Sequence, residues 1–345
     1  MEKGSFSRSA FFNPRVLINL FKTLAVAIGV LLLIPQAGSA QTQNPATPDY
    51  DAVKDFSIIS NPNGVWSYGW QSSLGSPLNL YAVTDTTTVS GMSVWLRSGT
   101  YITDNPCVAH NDTSNVICVL NFCVPPSYLQ LHPGPNNEVT VVRWIAPSSA
   151  RFCVQGAVAG LDQGPTTTSF YEVLNSNRIL YSATIDSYRL PLLFHDVLTV
   201  SAGDTVDFAV DFGQDGNYFS DSTGIQFKVT KATSIAIDIE PGTFPNSINP
   251  RGKGVIPVAI LTTDTFDATA VDPTTVRFGP NGTEAAPVQS ALEDVDGDGD
   301  TDMILHFKTQ DTGIVCGDTS ASLTGETFGG QAIEGSDSIK TVGCK

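Results

Sequence analysis

The stretch LTVSAGDTVDFAVDF (residues 198–212) decides the fold class. Apolar and polar side chains alternate on either side of the break SAGD, so Val206, Phe208 and Val210 share one face of an extended chain while Asp207 and Asp211 take the other. A period of two is the pattern of a half-buried strand. EVTVVRW (138–144), RFCVQGAV (151–158) and GIQFKVT (224–230) are likewise β-branched or aromatic, with Gly, Pro, Asn or Asp breaks between them. VLNSNRILY (173–181) predicts two strands joined at a tight turn around residues 175–177. Nothing over residues 50–231 holds a helical period for three turns, so this region is expected to be a β-sandwich.

Residues 234–345 continue in the same idiom with IAIDIEPG, GVIPVAILTT, TTVRFGPNG and SIKTVGC, but carry 17 acidic against six basic residues. A second, smaller sandwich of immunoglobulin or cohesin type is expected there. The whole chain is thus read as all-β with two sandwich domains, joined by the short link VTKATS (229–234).

Residues 1–40 hold Lys3, Arg8, Arg15 and Lys22, the apolar run LAVAIGVLLLI (24–34) and then PQAGSA. The run is too short to span about 30 Å of hydrocarbon, so a secretory signal peptide cleaved after Ala40 is expected, followed by a polar leader over 41–49. No later run predicts a membrane span, and DSIKTVGCK at the C-terminus has no hydrophobic tail. Removing those four basic residues and Glu2 from the 18 basic and 34 acidic groups leaves 14 and 33, a formal charge of −19. Such acidity excludes nucleic acid as a partner, because that affinity rests on lysines and arginines. All six cysteines, at 107, 118, 123, 153, 316 and 344, follow the signal and suit an oxidising compartment. The gap after Cys153 suggests two groups, which pairs Cys316 with Cys344 and leaves three connectivities for the other four.

NPNGVWSYGW (61–70), LHPGPNNEVTVVRWIAP (131–147) and AGDTVDFAVDFGQDGNYFSDSTG (202–224) resemble a jelly-roll module of many secreted proteins of environmental bacteria, a family similar to non-catalytic carbohydrate-binding modules. Residues 237–282 together with ALEDVDGDGDTDMILHF (291–307) are similar to a module that recurs, often in tandem, in large secreted bacterial proteins. The resemblances imply a jelly roll over 50–231, a repeat module over 234–345 and a secreted, extracellular or periplasmic location.

The strongest chemical signal is DVDGDGDTD, with Asp294, Asp296, Asp298 and Asp302 at D-x-D-x-D-G-x-x-D spacing around Gly299. Alternating acids turn successive carboxylates inward on a tight loop, glycine permits the bend, and Asp300 offers its backbone carbonyl, a ligand set suited to Ca²⁺. The twelfth place is Leu305 instead of glutamate, and MILHF alternates as a strand, so a calcium-bound β-hairpin is expected and not a helix–loop–helix sensor. Asp211, Asp215, Asn217 and Asp221 form a weaker candidate, equally well read as Asx turns.

Trp66, Tyr68 and Trp70 stand at i, i+2 and i+4 and share one face of a strand, either as a platform for pyranose rings or as a core stripe. Trp95 and Trp144, among apolar neighbours, are expected in the core. Enzymatic motifs such as G-x-S-x-G, H-E-x-x-H, the P-loop and G-x-G-x-x-G are missing. Cys107, His110, Cys118, Cys123 and His132 match no usual zinc spacing. The expected function is calcium-stabilised, non-catalytic binding of an extracellular glycan or polymer. The alternatives are a structural or adhesive protein contacting cell-surface or matrix proteins, and a small glycan-active hydrolase or lyase whose paired carboxylates only the fold could bring together.

Overall fold

The computed structural model describes residues 49–102, 106–164 and 166–344. The expected signal peptide, its cleavage site and all of the leader except Asp49 lie outside these residues. The described residues cluster as one compact unit. Among the described residues regular structure is all strand apart from two 3₁₀ turns, and no helix is long and apolar enough to cross a membrane.

The first sandwich uses β1 (Asp49–Asp51), β2 (Trp66–Gln71), β3 (Asn79–Leu80), β4 (Val83–Asp85), β5 (Met92–Leu96), β6 (Cys107–Asn111), β7 (Ile117–Val119), β8 (Phe122–Val124), β9 (Leu129–His132), β10 (Val139–Ile145), β11 (Ala150–Gly160), β12 (Thr168–Leu174), β13 (Arg178–Ile185), β14 (Leu192–Val200), β15 (Thr205–Asp211) and β16 (Thr223–Lys231). One sheet runs β14-β11-β16-β9-β6-β5-β4, with β1 also on β16, and the facing sheet runs β13-β12-β15-β10-β2-β3. The alternation read from the sequence sets the two inner faces. Phe152, Val154, Phe194, Leu198, Ile225 and Phe227 point in from one sheet, and Trp66, Tyr68, Trp144, Phe170, Val206 and Phe208 from the other. The predicted turn after β12 holds: residues 175–177 follow the ladder pair Leu174 with Arg178, and Asn175 and Ser176 stand at φ +50° and +60°, the left-handed pair of a type I′ turn.

Trp66 and Tyr68 correct one reading. They do share a face with Trp70, but that face is the core: Trp66 is 2 % and Tyr68 0 % exposed, and Trp70 packs at the rim under the Arg97 guanidinium. Burial this complete leaves no platform for a sugar ring, because β2 lies inside the six-stranded sheet and its inner face meets Phe227 across the sandwich. Trp95 and Trp144 are buried, as expected.

A flap made of the β7–β8 hairpin, closed by a disulfide between the directly paired Cys118 and Cys123, covers the outer face of β5 and β6. Cys107 and Cys153 are free and buried, so none of the three two-bond connectivities forms. The sheet order explains this: β6 and β11 are separated by β9 and β16. Three strand steps of about 4.8 Å make about 14 Å. A disulfide reaches about 7 Å between Cα atoms.

The second sandwich follows with β17 (Thr233–Ser234), β18 (Ile237–Ile239), β19 (Ser247–Ile248), β20 (Val255–Ile260), β21 (Val271–Gly279), β22 (Pro287–Glu293), β23 (Asp302–Lys308), β24 (Ser320–Thr327), β25 (Ala332–Ser338) and β26 (Lys340–Thr341). Sheets β17-β25-β24-β21 and β18-β20-β23-β22 enclose Ile239, Val258, Phe278, Leu305, Phe307 and Leu323. Cys316 and Cys344 are disulfide-bonded, with Cα atoms 5.8 Å apart.

Candidate functional sites

Residues 294–301 connect β22 to β23 as a hairpin whose last ladder pair is Glu293 with Asp302. Carboxylate oxygens of Asp294, Asp296 and Asp302 all lie within 4.8 Å of one another. The loop is wound by its own side chains. Asp294 accepts from the N–H groups of Gly297 (2.8 Å) and Gly299 (3.2 Å), Asp296 from Asp298 (3.2 Å), and Asp298 from Asp300 (2.9 Å). Gly297 and Gly299 stand at φ +80° and +99°, which a side chain would strain. Asp302 is 1 % exposed and accepts from Thr262 N (2.7 Å) and Val295 N (2.9 Å), which anchors the loop to the sandwich. The Asp296 carboxyl is lowered by the Asp298 N–H, yet desolvation and the charges of Asp298, Asp302 and Asp294 outweigh that and leave it above its ordinary value. Met303, Leu305 and Phe307 then enter the core in the expected strand period. Asp298 stands outside the convergent trio.

Asp211, Asp215, Asn217 and Asp221 do not converge among the described residues. Three successive turns use them instead: Asp211 accepts from Gly213 N, Asp215 from Asn217 N and Asn217 from Phe219 N. Asp221 is buried, with Oδ2 unpartnered, and burial first, then the Asp215 and Asp162 charges, raise its carboxyl to about 7 despite hydrogen bonds from Thr167 and Thr166. The zinc set is dispersed, since Cys118 and Cys123 are bonded to each other and Cys107 is buried with its thiol pushed up to about 12 by desolvation.

That same turn-rich loop carries a feature the sequence reading missed. It ends in Tyr218 and Phe219, whose ring centroids lie 4.4 Å apart, and Phe219 is 63 % exposed. The rings face the tip of the disulfide-closed flap, where Leu120 is exposed and Asn121 donates to Ser220 Oγ (2.9 Å). Between loop and flap lies a cleft of about 180 Å³. Its floor is buried and polar: Tyr101 donates to Gln130, Gln130 donates to Ser222 Oγ (3.1 Å), and Asp162 accepts from Ser222 N (2.6 Å). Desolvation raises the Asp162 carboxyl, against the Ser222 hydrogen bonds and the His132 charge. The exposed ring offers a face for stacking an amphipathic ring, while the floor groups below it satisfy one another. The signal was present as two adjacent aromatics in a run of Gly, Asn, Asp and Ser, where strand alternation has no use for them.

Glu172 on β12 and Asp196 on β14 are a carboxyl pair brought together across the core of the first sandwich. Glu172 is fully buried, and desolvation first, then Asp196, push its carboxyl up to about 9.

No protein-family model matches the chain, and no curated protein matches it. Solved structures similar to it include a family 35 carbohydrate binding module from Clostridium thermocellum, 17 % identical over 34 % of this chain and 88 % of that one, with a TM-score of 0.23. The mannan-recognising module TmCBM27 is 12 % identical over 54 % and 97 %, with a TM-score of 0.29. Rabbit GITRL is 14 % identical over 27 % and 71 %, with a TM-score of 0.19. Likeness at this level says nothing of ligand or activity.

Proposed function

We propose that this is a secreted, non-catalytic β-sandwich protein, stabilised by calcium, that binds carbohydrate or a similar extracellular polymer. The observation that carries the binding is the cleft under Phe219, an exposed aromatic ring over a buried chain of hydrogen-bonding groups that ends on Asp162. Secretion is supported by the signal-peptide pattern of residues 1–40 and by two disulfides. Calcium is supported by the convergence of Asp294, Asp296 and Asp302: hard oxygen donors on a glycine-turned loop, with Asp298 and the Asp300 carbonyl within the same nine residues. The ion would neutralise like charges and hold the β22–β23 hairpin. Glu172 with Asp196 lends no support to a hydrolase, since a fully buried carboxyl does not reach a glycosidic bond.

A glycan array probed with the mature protein, with and without Ca²⁺, tests the binding. Phe219→Ala should cost at least tenfold in affinity with the melting temperature unchanged. Equal binding by this variant would remove the cleft from the reading. The second reading, a structural or adhesive role contacting cell-surface or matrix proteins, is favoured by the edge strand β22, where Val288 and Leu292 are 52 % and 55 % exposed. An array with no bound glycan at all would leave that role standing in place of the first.

A further inference from the structure

We infer that the outer face of the eight-stranded sheet, where the second sandwich abuts it, binds a segment of a neutral polysaccharide, and that both sandwiches build this site. It is separate from the Phe219 cleft and does not rest on it.

The strand register lays out the floor. Gln155 on β11 pairs with His195 on β14 and with Lys228 on β16, and Lys228 pairs with Asp51 on β1, so these side chains form one row across four strands. Two residues along β11, Leu193, Ala157 and Gln226 form the next row. In the opposite direction the row at Cys153 is closed, because Ala332 of the second sandwich packs on Cys153 and Val197. Glu326 and Gly330 of the second sandwich continue as a wall. The Glu326 carboxylate lies 3.5 Å from His195 Nε2, and the Cys153 thiol lies 3.1 Å from the same nitrogen and 3.6 Å from the Gly330 carbonyl. Pro126 and Ser127, just after the flap, line the trough as well. The trough is open to solvent along its length, and its volume is about 850 Å³. That is near the top of the range of about 300–1,000 Å³ for sites that enclose a drug-sized molecule, which admits several sugar rings.

Charge chooses among occupants. Lys228 is 3.2 Å from Asp49 and 3.8 Å from Asp51, Lys54 is 3.4 Å from Asp51, and His195 faces Glu326. Each lysine in the lining therefore has an opposite partner, and a chain of formal charge −16 repels a polyanion besides. What remains for a ligand is amide. The Gln155 side chain makes no hydrogen bond among the described residues, and the Gln226 side chain uses only Nε2, on Tyr128 Oη at 3.3 Å. An amide donates and accepts at once, which matches hydroxyl groups. Leu193, 76 % exposed beside the small Ala157, gives an apolar step for the C–H face of a ring. A peptide strand fits less well. The backbone of β11 is already paired on both sides, to β14 and to β16, so the centre of the floor has no free ladder for strand addition, and the sheet edge lies off it at β14.

Affinity gel electrophoresis of the full mature chain tests this, with a neutral β-glucan, a mannan and a xylan as probes and alginate as the polyanion. At least one neutral polymer should retard the protein, and alginate should not. Leu193→Asp, at an exposed position, and Glu326→Ala should each weaken that retardation at least tenfold, with far-UV circular dichroism and melting close to the parent protein. Retardation by no neutral polymer, or by alginate alone, overturns the proposal. So does full affinity in Leu193→Asp, and a loss seen only in Phe219→Ala moves the polymer to the cleft. Full affinity in Glu326→Ala overturns the shared wall and leaves the first sandwich to bind alone.

Discussion

Phe208 and Phe227, one from each sheet of the first sandwich, stack with ring centroids 3.7 Å apart, and Trp66 meets the edge of Phe227 at 5.5 Å. The aromatic stripe of β2 is thus part of the contact that joins the sheets. Trp66→Ala should cost about 3–5 kcal/mol of stability, through lost burial and the cavity left behind. Phe219→Ala, at an exposed ring, should stay within about 0.5 kcal/mol. Urea unfolding of both variants separates the two roles, and equal losses would contradict the assignment of one ring to the core and the other to a surface.

Calcium should act on the second sandwich. A chelator is expected to lower its melting transition, and Asp296→Ala should reproduce that drop and abolish the response to chelator. Titration calorimetry at physiological salt should give heat with Ca²⁺ and far less with Mg²⁺, whose octahedral demand a flexible loop serves poorly. Equal, negligible heats would return residues 294–302 to a solvated acidic turn.

Stability should fall as pH rises. Glu172 titrates at about 9 in the folded chain, above its ordinary 4.5, so between those values the folded state keeps a proton that the unfolded chain releases. Its contribution is complete below about 4.5 and is lost as pH climbs to about 9, with a slope of at most about 1.4 kcal/mol per pH unit. Asp221, raised to about 7, adds the same sign lower in the range. Urea midpoints between pH 5 and 9 should decline, and Glu172→Gln should flatten the upper part of the curve. A profile that rises with pH, or one untouched by Glu172→Gln, would count against a protonated Glu172.

The two disulfides should differ in worth. Cys316 and Cys344 are 28 residues apart and Cys118 and Cys123 only five. In the chain-entropy model the longer loop gives about 3–4 kcal/mol and the shorter about 2. Cys316→Ser with Cys344→Ser should therefore destabilise its sandwich more than the matching pair of changes in the flap, as read by differential scanning calorimetry.

Strand period and turn chemistry are local, so β11, β15, β16 and the Asn175–Ser176 turn could be read from single stretches. The convergence of Asp294, Asp296 and Asp302 was legible for the same reason, as these carboxylates lie within nine residues of one hairpin. Direction was not legible. That Trp66, Tyr68 and Trp70 share a face follows from spacing, but which way the face looks depends on β2 pairing with β10 inside a sheet. The Phe219 cleft joins residues from a loop, a flap and β9, and the trough joins rows from four strands with a wall from the other sandwich. No spacing within one segment encodes either. The thiols of Cys107 and Cys153 were misjudged likewise, because their separation is a matter of strand order.

The bond between Cys316 and Cys344 has a mechanical side. Tension passing along the chain from Thr233 to Cys344 crosses from one sulfur to the other and skips the 27 residues between, which hold β24, β25 and β26. At roughly 3.3–3.6 Å per residue, about 90 Å of chain cannot be drawn out while the bond lasts. The sandwich can lengthen only by surrendering residues 233–316, and its first strand, β17, lies parallel to β25 inside the withheld segment. A pull on Thr233 therefore meets that pairing in shear, its rungs loaded together instead of one by one.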